Sequence, residues 1–394
     1  MKPLSTLFFF VVFGTGFLYS GDDPLHRERV QKGIQSSYQL DYAGALKIFN
    51  QIKEEDPESP VGYGMIAVTA WNKALFNARN LAVFQYGLPT YFDAARLPEE
   101  SFPEELQRFV EANQTLLDVC EKLIEKNPHN ALAYYFKGVS YENLSMQALM
   151  LYRSPIQTKD LSKTAGKAHE EALKLDPSLV DAKTSMAVVE YAVGSFNFIL
   201  RSLAKLFYGL PGDKKAAMKR LQEVVDKGIY RASDSLLVMG YLEAWKGEPE
   251  RAVKCFQRLR EMYPRNFLMD ICLAVVCEYA AKDPKSAVEV YKELLRDLPS
   301  KAPGIHPAEI HLRMGKNYFK LRDHGLALEQ FQKALDTEHR VLETQPLAYY
   351  NMALVYEERG EKDEAKECYR KMLELADSDE LIKEEIKRAK KKTR

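Results

Sequence analysis

The sequence predicts an all-α fold: a right-handed α-solenoid of about eight helix pairs with three long helical insertions. Three observations carry this. Apolar and small residues recur at helical spacing inside a longer period of ~34 residues. Asp-Pro and Asn-Pro steps at Asp56-Pro57, Asn127-Pro128 and Asp176-Pro177 punctuate that period as helix endings. The glycines fall at repeat positions and in turns rather than in a phosphate-binding loop.

The unit is clearest from Gln345 to Asp379. Tyr349, Met352, Ala353 and Tyr356 share one helical face, Arg359 to Asp363 make a polar turn, and Ala365, Tyr369 and Met372 recur at helical spacing after it. The preceding unit repeats the plan with Met314, Gly315 and Tyr318, a turn from Arg322 to Gly325, then Ala327, Phe331 and Ala334. The step from Gly315 to Ala327 equals the step from Ala353 to Ala365. Small residues at these places let two antiparallel helices approach closely, and the flanks are filled by Tyr318 with Phe331 and Tyr356 with Tyr369. A proline after the second helix lacks an amide donor and stops it. Each pair keeps apolar edges that only a stacked neighbour can cover. Looser units are marked by Gly33, Ala45, Phe49 and Pro57, by Gly240, Ala252, Phe256 and Pro264, and by Ala287, Tyr291 and Pro299. In the middle, Gly138 and Tyr141 open a unit whose second half, Ala165, Ala172 and Pro177, comes late. The pattern resembles the tetratricopeptide-repeat family over nearly the whole mature length. That resemblance implies a helical solenoid whose first helices line a groove for peptides or partner helices.

Three segments are too long to be turns: about 77–103, 145–162 and 194–213. All are apolar, aromatic and expected to be helical. The third carries Phe196-Asn-Phe198-Ile-Leu200, then Leu203 and Phe207, and closes on Gly212-Asp213-Lys214 before a helix with Leu221. This stretch resembles the inclusion-body-clearance, or tetratricopeptide repeat 39-like, family, which implies the same helical-repeat fold and a proximity to membrane or lipid.

The N-terminus differs from the rest. Lys2 precedes an apolar run from Leu4 to Leu18, short for a membrane crossing and typical of a secretory signal peptide. Small residues at Ser20 and Gly21 suit cleavage there, and no cysteine stands before Cys120 to carry a lipid anchor. The expected organisation is a signal peptide at 1–20, the solenoid at 21–379 and a charged helical tail at 380–394, the tail acting as a solvating cap or as a basic tether. The expected location is exported, in the periplasm or cell envelope, with an uncleaved N-terminal anchor as the alternative.

Charge and chemistry narrow the function. Fifty-six Lys and Arg balance fifty-six Asp and Glu, so no overall field draws the chain to nucleic acid. The five cysteines, Cys120, Cys255, Cys272, Cys277 and Cys368, form no CxxC pair and read as small buried hydrophobes. His306 and His311 are separated by a proline and do not share a helical face. No nucleophile elbow, HExxH, Walker loop or dinucleotide fingerprint is present. The expectation is therefore a non-catalytic chain without cofactor or metal.

By register, the groove side shows Leu132, Tyr135 and Val139 early, and Leu312, Lys316, Phe319, Lys320, Leu347, Tyr350 and Leu354 late. These mixed aromatic and basic residues suit a peptide with apolar anchors and an acidic group; alternatively, they pack against the inserts or the next repeat. Asn351 fits one position of the family's carboxylate clamp, but Leu312 and Lys316 replace the residues that clamp needs. Two functions follow. One is an exported scaffold or adaptor that holds a protein partner in a cell-envelope complex. The other is a membrane-associated or apolar-ligand-handling component acting through Phe196, Phe198, Leu200, Leu203 and Phe207.

Overall fold

The computed structural model describes residues 24–78, 103–150, 152, 154–195, 212–301, 307–336, 344–376 and 382–393. The N-terminal apolar run, most of the first insert, and Phe196, Phe198, Leu200, Leu203 and Phe207 lie outside the described residues. Seventeen α-helices and no strand are found among the described residues, so the chain is all-α as the repeats predict.

Contacts gather the described residues into two compact units, one of 24–78, 103–243 and 261–264, the other of 244–260 and 265 onward. In the first unit, α1 (Pro24–Tyr38) pairs with α2 (Tyr42–Glu55), α3 (Pro60–Ala78) with α4 (Pro103–Lys126) and α5 (Ala131–Met150) with α6 (Pro155–Leu175). A 3₁₀ turn at Val180–Ala182 leads into α7 (Lys183–Gly194), which pairs with α8 (Lys214–Lys227). Helix α9 (Ala232–Lys246) lies mostly in the first unit and helix α10 (Pro249–Met262) mostly in the second. In the second unit α11 (Phe267–Tyr279) pairs with α12 (Pro284–Lys301), α13 (Ala308–Lys320) with α14 (His324–Leu335) and α15 (Thr344–Arg359) with α16 (Lys362–Leu375). The last helix, α17 (Lys383–Thr393), packs on α16 and buries Ile382 and Ala389.

Local chemistry sets these limits. Helices α1, α3, α4, α6, α10 and α12 begin on a proline, whose missing amide is no loss in the first turn. Asp41, Asp213, Asn266 and Asp323 cap α2, α8, α11 and α14 by accepting backbone N–H bonds. Helices α2, α4 and α6 end at Glu55, Lys126 and Leu175, directly before the Asp-Pro and Asn-Pro steps. Pro299 departs from expectation: it lies inside α12, which runs on to Lys301. So close to the end, a proline forfeits a single intrahelical bond and the last turn survives.

The close approach within pairs is real, but a ring faces the small residue. A Cβ on Gly33 would sit 2.4 Å from the Phe49 ring, and one on Gly315 would sit 2.4 Å from the Phe331 ring. The second long insert is not a loop: α5 and α6 lengthen to 20 and 21 residues and meet in a short connection. All five cysteines are thiols; Cys120, Cys272, Cys277 and Cys368 are buried and Cys255 is half-buried.

Candidate partner-binding face

The first helices of the two units treat their groove-side residues differently. In the first unit, Tyr135 of α5 is fully buried, its ring stacked at 5.5 Å on Tyr230, edge-on to Phe136 at 5.0 Å and tilted against His169 at 5.6 Å. Tyr230 and Arg231 stand just before α9. They are pinned there because Asp181 accepts the backbone N–H groups of Ile229 (3.1 Å), Tyr230 (2.9 Å) and Arg231 (2.7 Å). The Arg231 guanidinium then reaches Glu142 at 2.6 Å and Asp234 at 3.5 Å, with its side chain 2% exposed. His169 Nε2 lies 2.6 Å from the same Glu142. Burial alone would raise the Glu142 carboxyl, but Arg231 and His169 overcome it and hold the group at about 2. Tyr38, at the end of α1, donates to Asp234 and stacks on Tyr263 at 4.5 Å. The face is filled by the unit's own side chains.

In the second unit the corresponding face stays partly open. Arg313 of α13 is buried against Glu309 (3.2 Å) and Glu278 (3.9 Å), and Thr344 donates to Glu309 at 2.9 Å. Lys320 donates to Glu278 at 3.0 Å and lies over the Tyr279 ring at 5.2 Å. One turn back, half-buried Lys316 forms no hydrogen bond or ion pair among the described residues. Burial pushes its ammonium below the ordinary lysine value, against the pull of Glu309, Glu278 and Glu385. Half-buried Phe319 is tilted against His324 at 5.9 Å. On α15, Tyr350 and Leu354 are half-buried, and the Tyr350 ring meets Tyr369 edge-on at 5.9 Å. Burial raises the Tyr350 hydroxyl, with Glu385 of α17 adding to it and Arg388 opposing.

The expected groove residues therefore divide. Leu132, Tyr135 and Leu312 are 2%, 0% and 0% exposed, so their assignment to a partner surface is corrected: they pack inside their units. Val139 is buried as well. Lys316, Phe319, Lys320, Leu347, Tyr350 and Leu354 keep exposed surface. Register alone missed Glu278, Glu309, Arg313 and Glu385. A signal for the first was available, since Asp270 and Glu278 are the only charges in the otherwise apolar run of α11.

Family profiles and solved structures both give matches to this chain. Tetratricopeptide-repeat profiles match residues 237–302 and 306–378. Among solved structures, a human IFIT1 dimer with PPP-AAAA aligns at 16% identity and a TM-score of 0.42, over 93% of this chain and 84% of that one. Yeast Tom70 aligns at 12% identity and a TM-score of 0.41, over 95% and 89%. A tetratricopeptide repeat protein from Parabacteroides merdae aligns at 13% identity and a TM-score of 0.33, over 82% and 98%. The two profile matches identify residues 237–302 and 306–378 as tetratricopeptide repeats, so the chain carries repeats of that family.

Proposed function

We propose that this protein is an exported, non-catalytic scaffold of the cell envelope, and that the α13–α15 face takes up an acidic segment of a partner protein. Tetratricopeptide repeats support a protein-interaction role in general. The observation that carries the specific reading is Lys316. A desolvated ammonium that makes no hydrogen bond or ion pair with a described carboxylate is stabilised by an arriving anion, and Phe319, Tyr350 and Leu354 offer apolar surface on the same helices. The apolar run from Leu4 to Leu18 supports export.

Fluorescence polarisation with two labelled peptides tests the face, one bearing Glu between Leu anchors and one bearing Gln instead. The Glu peptide is expected to bind about tenfold tighter, which corresponds to one charge-assisted hydrogen bond. Lys316→Met should erase that preference, and Phe319→Ala with Tyr350→Ala should weaken both peptides. Equal binding of the two peptides to the unmodified protein would count against an acidic partner. Export is tested separately by N-terminal sequencing of protein from its native cell. A start at residue 21 or 22 supports it, and an intact Met1 in the cytosolic fraction counts against it.

A further inference from the structure

The α5–α6 hairpin carries a second surface, remote in chemistry from the α13–α15 face. Hydrogen bonds tie its described residues together. Ser145 Oγ lies 2.7 Å from Ser162 Oγ and donates to the Thr158 carbonyl at 3.1 Å. The Ser154 amide donates to the Ala148 carbonyl at 3.0 Å, and Gln147 donates to the Tyr152 hydroxyl at 3.4 Å. Yet this well-held tip points apolar side chains outward: Tyr152 is 52% exposed and Ile156 is 72% exposed, the most exposed large apolar side chain among the described residues. An open cleft of about 430 Å³ is lined by Tyr152 with Leu144, Ala148 and Leu161, and by Gln157 and Asp160.

Behind the tip the same helix face turns cationic. Lys159, Lys163 and Lys167 are exposed on α6. Lys163 and Lys167 stand seven and eleven residues beyond Ile156, so all three fall on one side of the helix. Lys159 lies 3.5 Å from Asp160, and exposed Glu170 stands on the same side beyond Lys167. Lys163 and Lys167 have no ion-pair partner among the described residues. At 1.5 Å of rise per residue, Lys163 stands about 10 Å behind Ile156 and Lys167 about 16 Å.

We infer that the α5–α6 hairpin docks on an anionic lipid bilayer, with Tyr152 and Ile156 in the interface and Lys159, Lys163 and Lys167 on the lipid phosphates. The axial order of the groups selects this partner. A bilayer presents hydrocarbon below and phosphate about 10 Å above, matching apolar tip and cationic collar in sequence along one axis. Tyrosine suits the boundary, where its ring is buried and its hydroxyl stays wet. A protein groove requires no such gradient. The contact is peripheral: no described helix is long and apolar enough to cross a membrane. It stands or falls independently of the α13–α15 face.

The test uses the full chain carrying Tyr152→Trp, mixed with vesicles of phosphatidylglycerol or of phosphatidylcholine whose acyl chains are brominated. The introduced tryptophan reports the tip itself, so an N-terminal apolar run held in the same bilayer does not confuse the readout. The difference from the unmodified chain is measured, because Trp71 is buried and Trp245 is common to both. Expected are a blue shift and quenching with brominated phosphatidylglycerol, at least tenfold weaker quenching with phosphatidylcholine, and the same loss on Lys163→Glu with Lys167→Glu. Ile156→Asp, at an exposed position that leaves the fold intact, should abolish the quenching while circular dichroism stays unchanged. Quenching equal on both lipids, or none on either, would overturn the inference, as would a tip that responds to an acidic protein and not to vesicles.

Discussion

The two units begin from one repeat plan and end with opposite first-helix faces. In the first, Tyr135, Tyr230, Arg231 and Tyr38 fill the face, and the buried Arg231 is answered by Glu142 and Asp234. In the second, Glu278 and Glu309 are taken by Arg313 and Lys320, and Lys316 is left over beside Phe319 and Tyr350. A buried cation surrounded by its own carboxylates serves stability. A half-buried cation without one keeps capacity for a ligand, so the difference between the units is a difference of charge completion.

That contrast is most strongly tested at the two cations. Arg231→Met strands Glu142 and Asp234 in the interior and should cost about 3–5 kcal/mol, read as a lowered urea midpoint. Lys316→Met should not lower stability by more than about 0.5 kcal/mol, because it removes a desolvated charge that no described partner needs. Equal losses at the two sites would erase the distinction.

Acid should separate the units next. The folded Glu142 carboxyl, at about 2, lies below its ordinary value of 4.5. Its contribution is therefore present above pH 4.5 and is lost as pH falls from there through 2. The full shift corresponds to about 3 kcal/mol by 1.36 kcal/mol per unit. Urea midpoints measured down this range should fall, and Glu142→Gln should flatten the slope while lowering stability at neutral pH.

The shared plan predicts equality elsewhere. Gly33→Ala and Gly315→Ala each drive a methyl to 2.4 Å from a phenylalanine ring, one in each unit, and each should cost about 1–3 kcal/mol in thermal or urea unfolding. A marked inequality would show that one pair packs more loosely than the other. The smallest effect is expected at α17. Lys392 and Arg388 reach Glu357 at 2.6 and 3.7 Å from partly exposed positions, so Lys392→Ala should cost less than about 1 kcal/mol and less still in high salt.

What was legible in the sequence follows from range. The small position facing an aromatic one belongs to two helices of one pair, so Gly33 with Phe49 and Gly315 with Phe331 leave a periodic trace. The helix stops at Asp56, Asn127 and Asp176 are local and equally visible. Closure of the first unit is not local: Arg231 meets Glu142 across 89 positions and Tyr38 meets Asp234 across 196. No period records such pairings, which is why Tyr135 reads as groove-lining and is buried. Lys316, Phe319 and Tyr350 keep part of their surface exposed at the positions that helical register gives them. The carboxylates that leave Lys316 unanswered come from α11 and from earlier on α13, and their allotment to Arg313 and Lys320 depends on packing.

The cysteine thiols give the fold a clock. Burial pushes the Cys277 and Cys368 thiols up to about 11 and raises Cys120 further, so at neutral pH the folded chain presents almost no thiolate at those sites. The unfolded chain presents all five at ordinary acidity. In an oxidising compartment, helix pairing therefore races against disulfide formation. Once the pairs close around Cys120, Cys277 and Cys368, time no longer works against the protein.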